Sequence, residues 1–178
     1  MPFQVAIFVK AQYLRMSIVE MCQWLQDTSI GTSIRESTWV FPILEGTHLL
    51  GIAASVGTLL VMDLRLAGFL FKREPVSQVT KAVMPLSMVG FAVMFITGIF
   101  LFWSQAIKAY GSIYFKIKLV LLVLAGINAL VFELTMRGKS AAWDRDPVPP
   151  FRARMAGITG LILWAGVICA GRTMAYNF

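Results

Sequence analysis

Residues 41–62 read FPILEGTHLLGIAASVGTLLVM, and this stretch decides the fold. It is about as long as a helix that crosses a bilayer, which needs roughly 20 predominantly apolar residues. Glu45 and His48 lie inside it three positions apart, so a helix places both near one face. Ionisable groups are costly inside a membrane span and therefore mark candidate functional positions. The stretch predicts a membrane-spanning helix with a polar site around His48, the only histidine of the chain.

Three more segments reach spanning length and complete a predicted bundle. The predicted spans cover about residues 39–62, 82–103, 118–134 and 155–175. The composition agrees, since 58% of the 178 residues are hydrophobic and 14% are charged, whereas a soluble domain carries about 25% charged residues. Glycines recur within the spans, and small residues let helix backbones approach closely in lipid. We therefore predict an all-α integral membrane protein with a four-helix bundle over residues 39–178.

The N-terminal segment, residues 1–38, is too polar to span. Ser17 and Glu20 have the spacing of a capping box, which predicts the start of a helix. The apolar residues that follow recur at helical spacing: Ile18, Met21, Cys22 and Leu25. This pattern predicts an amphipathic helix that lies at the membrane surface. Lys10 and Arg15 follow the first apolar run instead of preceding it, so no cleaved signal peptide is expected.

Lysine and arginine are unevenly distributed between the two sides of the predicted bundle. Nine lie in the loops after the first and third spans: Arg65, Lys72, Arg73, Lys81, Arg137, Lys139, Arg145, Arg152 and Arg154. The positive-inside rule then predicts a multi-pass protein of the bacterial inner membrane, with both termini periplasmic. Topology and anionic lipid account for the net charge of +7. The predicted partner is therefore the lipid bilayer and not nucleic acid.

Depth along the spans places four ionisable residues in the outer half of the bundle: Glu45, His48, Lys118 and Arg172. A carboxylate in hydrocarbon needs a cation, so Glu45 is expected to pair with Lys118 or Arg172. Asn128 lies near or beyond the middle of the third span. In one interpretation the cluster is structural, and His48 bonds Asn128 or a backbone carbonyl. In a second, the cluster holds a cofactor or a redox ligand. In a third, it takes part in proton or ion translocation.

A second charged belt is predicted at the inner ends of the spans. It comprises Asp63, Arg65, Glu133, Arg137 and Arg154. Buried charge needs compensation here as well. The expected ion pair joins Glu133 to Arg65 or Arg154.

Haem b is the cofactor that the outer cluster favours. His48 would supply an axial nitrogen, and Glu45 and Asn128 are further candidate cofactor contacts. Arg172 and Lys118 are placed to pair with the haem propionates. A single histidine leaves the second axial position to a methionine, a small molecule or a histidine of another subunit. The leading functional prediction is a redox-accessory or electron-transfer subunit, either a homo-oligomer or part of a larger membrane complex.

Two alternative functions stay open. Met84 and Met88 lie four residues apart, and soft thioethers suit Cu(I), which favours copper handling with His48 as the candidate metal ligand. The lack of a complete catalytic constellation favours a non-catalytic anchor or assembly subunit, and leaves open whether the protein is an enzyme. Cys22 and Cys169 have no paired spacing and are interpreted as small apolar residues.

Linked motifs carry a resemblance to a group of uncharacterised bacterial membrane proteins. They read Pro42-x-x-Glu45-x-x-His48-x-x-Gly51, Asp63-x-Arg65-x-x-Gly68, Phe115-x-x-Lys118, Gly126-x-Asn128 and Gly171-Arg172. The resemblance covers about residues 17–176. It implies a four-helix inner-membrane protein in which the polar residues of these motifs are the characteristic positions. More distantly, the chain resembles the membrane domain of copper-resistance D proteins and small cytochrome b subunits, although the latter carry several intramembrane histidines.

Overall fold

The computed structural model describes residues 18–136 and 142–176, which form helices and loops without a strand. Helix α1 covers residues 18–26. The helices that follow are α2 (Ser29–Glu36), α3 (Val40–Ala67), α4 (Val76–Ser104), α5 (Ala106–Gly111), α6 (Ile113–Met136) and α7 (Phe151–Tyr176). The predicted all-α class is confirmed. Ser17, the predicted first residue of the capping box, lies outside the described residues, as do Arg137 and Lys139.

Helices α3, α4, α6 and α7 are long and apolar enough to cross a membrane, and the chain is a multi-pass transmembrane helical protein. Each of them extends beyond the predicted span. Helix α3 continues to Ala67 instead of ending near Met62, and α4 begins at Val76 instead of near residue 82. Hydropathy falls at the first charged residues, whereas the backbone hydrogen bonds of a helix continue through Asp63 and Arg65. The additional turns therefore carry the charged residues of the bundle.

The N-terminal segment contains two short helices instead of the single one predicted. Thr28 caps α2 by accepting a hydrogen bond from the Gly31 N–H at 3.3 Å. The Trp103 indole N–H at the end of α4 donates to the same Thr28 oxygen at 2.8 Å. The helix breaks at Thr28 because a threonine hydroxyl can accept a hydrogen bond from a free backbone N–H at the start of a helix. Inside a helix the same hydroxyl competes with the backbone hydrogen bonds. The side chains of Met21 and Trp24 are exposed on α1, as a helix at a membrane surface would place them.

Helix α3 lies at the centre of the bundle, packed against α4 on one side and α7 on the other, and α6 packs on α7. Glycines allow these backbones to meet. A β-carbon on Gly90 of α4 would lie 2.5 Å from the Ser55 nitrogen of α3, and one on Gly157 of α7 would lie 2.6 Å from the Asp63 carbonyl oxygen. Such close approach favours helix association in lipid. The backbones of α4 and α6 are not closely packed on each other. Their outer ends meet through the stacked rings of Phe102 and Phe115, with centroids 5.6 Å apart, and a gap remains between the helices towards the inner end.

Two apolar clusters fill the bundle at different depths. The central cluster contains Val56, Ala125, Trp164 and Val167. The second lies at the inner end, the end that carries the α3–α4 and α6–α7 loops, and it contains Leu66, Val76, Trp143 and Ala153. In the central cluster the ring of Phe91 packs on Trp164, with centroids 5.8 Å apart. Side chains of both clusters border a single cavity.

Arg65 connects the α3–α4 loop to the α6–α7 loop by hydrogen bonds. The side chain is fully buried, and it donates from Nε to the Glu74 carbonyl at 2.9 Å and from Nη2 to the Asp146 carbonyl at 3.0 Å. Arg65 therefore bonds loop carbonyls and not Glu133, its predicted partner. A guanidinium suits this position because its several N–H groups diverge towards separate acceptors.

Candidate functional site

His48 faces α4, where its Nδ1 lies 3.0 Å from the hydroxyl oxygen of Thr97. Thr97 Oγ1 donates to the Val93 carbonyl at 2.6 Å, so it accepts the bond from the Nδ1–H of the ring. The Met94 carbonyl lies on this side too, where it accepts from the Thr97 hydroxyl at 3.3 Å. Nε2 is then the nitrogen with a free lone pair, the form of imidazole that binds metals. The ring lies over Gly98, where a β-carbon would be 3.1 Å from Cε1.

Lys118 shares this outer end of the bundle with His48. Its charge acts on the His48 ring, and its side chain runs along Gly171 of α7, where a β-carbon would lie 3.8 Å from Nζ. Arg172 turns towards Tyr176 instead. Its Nη2 donates to the Tyr176 hydroxyl at 2.7 Å, and its guanidinium lies over that ring at 4.7 Å. The structure therefore brings Lys118 near His48 but directs Arg172 elsewhere.

Glu45 and Asn128 lie apart from His48. Glu45 is exposed, and its carboxylate makes no ion pair or hydrogen bond within residues 18–136 and 142–176. The expected pairs of Glu45 with Lys118 and Arg172 do not form there. Residues three apart on a helix still differ by about 60° in direction, which is enough for His48 to face α4 while Glu45 faces outwards. Asn128 donates from Nδ2 to the Ala156 carbonyl at 3.0 Å, at a cavity in the inner half.

This cavity has a volume of about 370 Å³ and lies between α3, α4, α6 and α7. Most of its wall is apolar, with side chains such as Leu59, Phe132 and Trp164. It occupies the gap where α4 and α6 do not pack. Met84 of α4 and Ala129 of α6 line it and are also exposed, so the cavity opens between these two helices towards the surrounding membrane. Its size falls within the range of small-molecule sites, roughly 300–1,000 Å³.

Asp63 is a half-buried acid of the cavity wall, which Glu133 also lines. Its Oδ2 is buried against Gly160 and has no hydrogen-bond partner among the described residues. Lys81 also lines the cavity but forms no ion pair with Asp63. A carboxylate in an apolar wall is costly unless it binds a proton or meets a cation.

Trp143 closes the inner end of the cavity from the α6–α7 loop. The side chain is buried, and its indole N–H has no hydrogen-bond partner in the part of the chain that the structure describes. Asp144 attaches this loop to the start of α4, since its carboxylate accepts from the N–H and the hydroxyl of Ser77, each at 2.7 Å. The Ser77 backbone N–H is the main reason that the pKa of the Asp144 carboxyl lies below its usual range. Trp143 is thereby held in place with an unsatisfied donor.

A metal centre built from several side chains is not found in the described residues. No three His, Cys, Asp or Glu side chains there are close enough to hold an ion. Met84 and Met88, the pair behind the copper prediction, precede Thr97 on α4. About 14 Å or more of helix separates them from Thr97, the contact of His48. The structure therefore does not join these methionines to His48.

A match to a protein family covers most of the chain, including His48, Asp63 and Trp143. Residues 23–177 match the family described as Family of unknown function (DUF6644). The chain belongs to DUF6644. The resemblance to an uncharacterised family is thus supported, whereas no link to copper-resistance D or cytochrome b proteins is shown. No curated protein and no solved structure shows significant similarity to this DUF6644 member.

Proposed function

We propose that this protein is a membrane-embedded binding protein that takes a small, largely apolar molecule into the cavity between α4 and α6. The observation that carries the proposal is the unpartnered carboxylate of Asp63 in the cavity wall. Ionisable residues at membrane depth are retained mainly where they serve a function. A cavity with an apolar wall and a few polar groups is also the usual form of a small-molecule site.

The route into the cavity supports a ligand that partitions into the bilayer. The gap between α4 and α6 faces the membrane, and exposed residues of both helices border it. A molecule dissolved in lipid reaches such an opening without crossing a polar surface. With the bundle oriented by the positive-inside rule, the cavity lies in the cytoplasmic half of a bacterial inner membrane, with both termini periplasmic.

Binding of phenylbutanol, a neutral apolar probe, tests the proposal in purified protein by thermal shift and by equilibrium dialysis. Ala129→Phe places a ring in the cavity, because Ala129 lines it. Ile127→Phe is the matched control, because Ile127 is 50% exposed on the same helix and does not line the cavity. We expect binding to the wild type and to Ile127→Phe, and its loss in Ala129→Phe. Equal binding to both variants, or none to the wild type, would refute the proposed site.

A second candidate function is the redox one, in which His48 binds haem b. The Thr97 hydroxyl favours it, because it accepts from Nδ1 and leaves Nε2 for the iron. Lys118 lies at the same end of the bundle and suits a propionate. Since the chain has no other histidine, the second axial ligand would come from a different residue type or from a second copy.

An absorption spectrum of protein produced with excess haem tests this second candidate. A Soret band that disappears in His48→Ala and survives in Glu45→Gln would support it. The Glu45 variant is a suitable control because this exposed carboxylate lies in the same helix and makes no described contact with His48. A wild type without a Soret band, or a band unchanged in His48→Ala, would contradict it.

A further inference from the structure

We infer that the cavity ligand is an amine with an apolar body, whose protonated nitrogen pairs with the carboxylate of Asp63. This inference rests on the proposed function and names the chemical class of its ligand. The observation that carries it is the Asp63 side chain, which lines the cavity and has no hydrogen bond or ion pair among the described residues.

A carboxylate at Asp63 selects for a cation. Its Oδ2 is buried, while the side chain as a whole lines the cavity. No cation of the described chain pairs with it, although Lys81 borders the same space. An ammonium group placed at Asp63 would compensate the charge and share hydrogen bonds with it. An anion there would meet like charge in an apolar wall.

The wall around Asp63 suits the remainder of such a molecule. Phe132 and Trp164 line the cavity with aromatic side chains, which attract both an apolar body and a cation.

The volume of about 370 Å³ limits what can enter. It suits one ring or a short chain and is too small for a complete diacyl lipid. Two sources share the required chemistry: a free lipophilic amine, and the ammonium end of an ethanolamine lipid that reaches in through the gap between α4 and α6. The experiment includes one arm for each source.

Three probes with the same apolar body test the charge preference: phenylbutylamine, phenylbutanol and phenylbutyrate. Affinities are measured by equilibrium dialysis against protein in phosphatidylcholine nanodiscs. We expect the amine to bind at least about tenfold more tightly than the alcohol and the anion to bind most weakly. Asp63→Asn should remove the advantage of the amine and leave the alcohol unchanged. Glu45→Gln, which removes an exposed carboxylate from the same helix, should change neither affinity.

Nanodiscs that contain phosphatidylethanolamine provide the lipid arm. Weaker apparent amine affinity in them would show that the lipid headgroup competes for Asp63, and unchanged affinity would assign the site to free amines.

The failures of the two proposals are distinguishable. If all three probes bind equally and Asp63→Asn changes none of them, the cavity is a binding site but the amine inference is wrong. If no probe binds to the wild type, or if Ala129→Phe leaves all binding intact, the proposed function itself is wrong. Thermal unfolding of each variant confirms that it is folded before its affinities are compared.

Discussion

Asp63 of α3 lies directly against Gly160 of α7, where a β-carbon on the glycine would overlap the carboxylate atoms of the aspartate. The absence of a side chain at residue 160 therefore creates the space that the carboxylate occupies. One carboxylate oxygen is buried, and the Asp63 side chain lines the cavity. The position of the acid in the membrane interior is thus determined jointly by two helices.

Gly160→Ala should destabilise the protein, because the added methyl group meets the Asp63 carboxylate. We expect a loss of about 1–3 kcal/mol, the usual cost of overpacking a well-packed interface, seen as a lower unfolding midpoint in detergent. Gly126→Ala is the matched control, since a β-carbon there has no neighbour within 4 Å. Similar midpoints for the two variants would contradict the contact. Asp63→Ala in the Gly160→Ala background should recover part of the loss.

Thr97→Val should destabilise the protein by removing the acceptor for His48 Nδ1. A buried donor left without a partner costs about 1–3 kcal/mol. Thr135→Val is the control, because Thr135 is exposed and its hydroxyl bonds the Val131 carbonyl of its own helix. In the His48→Phe background the cost of Thr97→Val should shrink, since no donor remains. An equal cost in both backgrounds would show that the two side chains are not coupled.

Acid should weaken the attachment of the α6–α7 loop to α4 through Asp144. Hydrogen bonds from Ser77 lower the pKa of this carboxyl in the folded protein. The ionised form therefore stabilises the fold fully above the unfolded pKa of about 4, and this contribution is lost as the pH falls through the folded pKa. Unfolding midpoints measured between neutral pH and about pH 3 should show that loss.

Two substitutions isolate the role of Asp144. Asp144→Ala removes a helix cap and should cost about 1 kcal/mol at neutral pH. Asp144→Asn should retain much of the cap and lose the acid dependence. The control is Asp146→Asn, because Asp146 contributes a backbone carbonyl to Arg65. If Asp144→Asn and Asp146→Asn have the same acid dependence as the wild type, Asp144 does not carry the effect.

Labelling with a membrane-impermeant maleimide tests the orientation proposed from the charge distribution. Cys169 is exposed and is first replaced by alanine. Gly111→Cys lies at the outer end and Lys72→Cys in the α3–α4 loop, and both positions are exposed. We expect labelling of Gly111→Cys in intact spheroplasts and labelling of Lys72→Cys only after permeabilisation. The reverse pattern would place the cavity in the periplasmic half.

Hydropathy was sufficient to predict the four spans, because the requirement for apolar length in a membrane acts on each helix separately. It could not predict the turns beyond them, since the helix that contains Asp63 and Arg65 continues past the apolar stretch. The sequence does indicate a belt of charged residues at its end. It does not indicate that Asp63 lacks a partner, because this depends on how α3 and α7 meet at Gly160.

Depth along the helices also proved insufficient to predict the outer cluster. It grouped His48 with Glu45 and Arg172, but direction around the helix separates them, and Arg172 bonds Tyr176 in its own helix. Thr97, the actual partner of His48, has no distinguishing feature in the sequence, since a threonine in an apolar helix often bonds its own backbone. Trp143 belongs to a loop whose return to the cavity depends on Asp144 and Ser77.

Photoaffinity labelling with a diazirine derivative of phenylbutanol tests most directly whether the cavity binds a ligand. We expect cross-links in the wild type to cavity-lining residues such as Leu59, Met84 and Phe132. Unlabelled phenylbutanol should compete with them, and Ala129→Phe should abolish them. Cross-links confined to the exposed face of α6 around Val120 and Val123, unchanged in Ala129→Phe, would contradict this expectation.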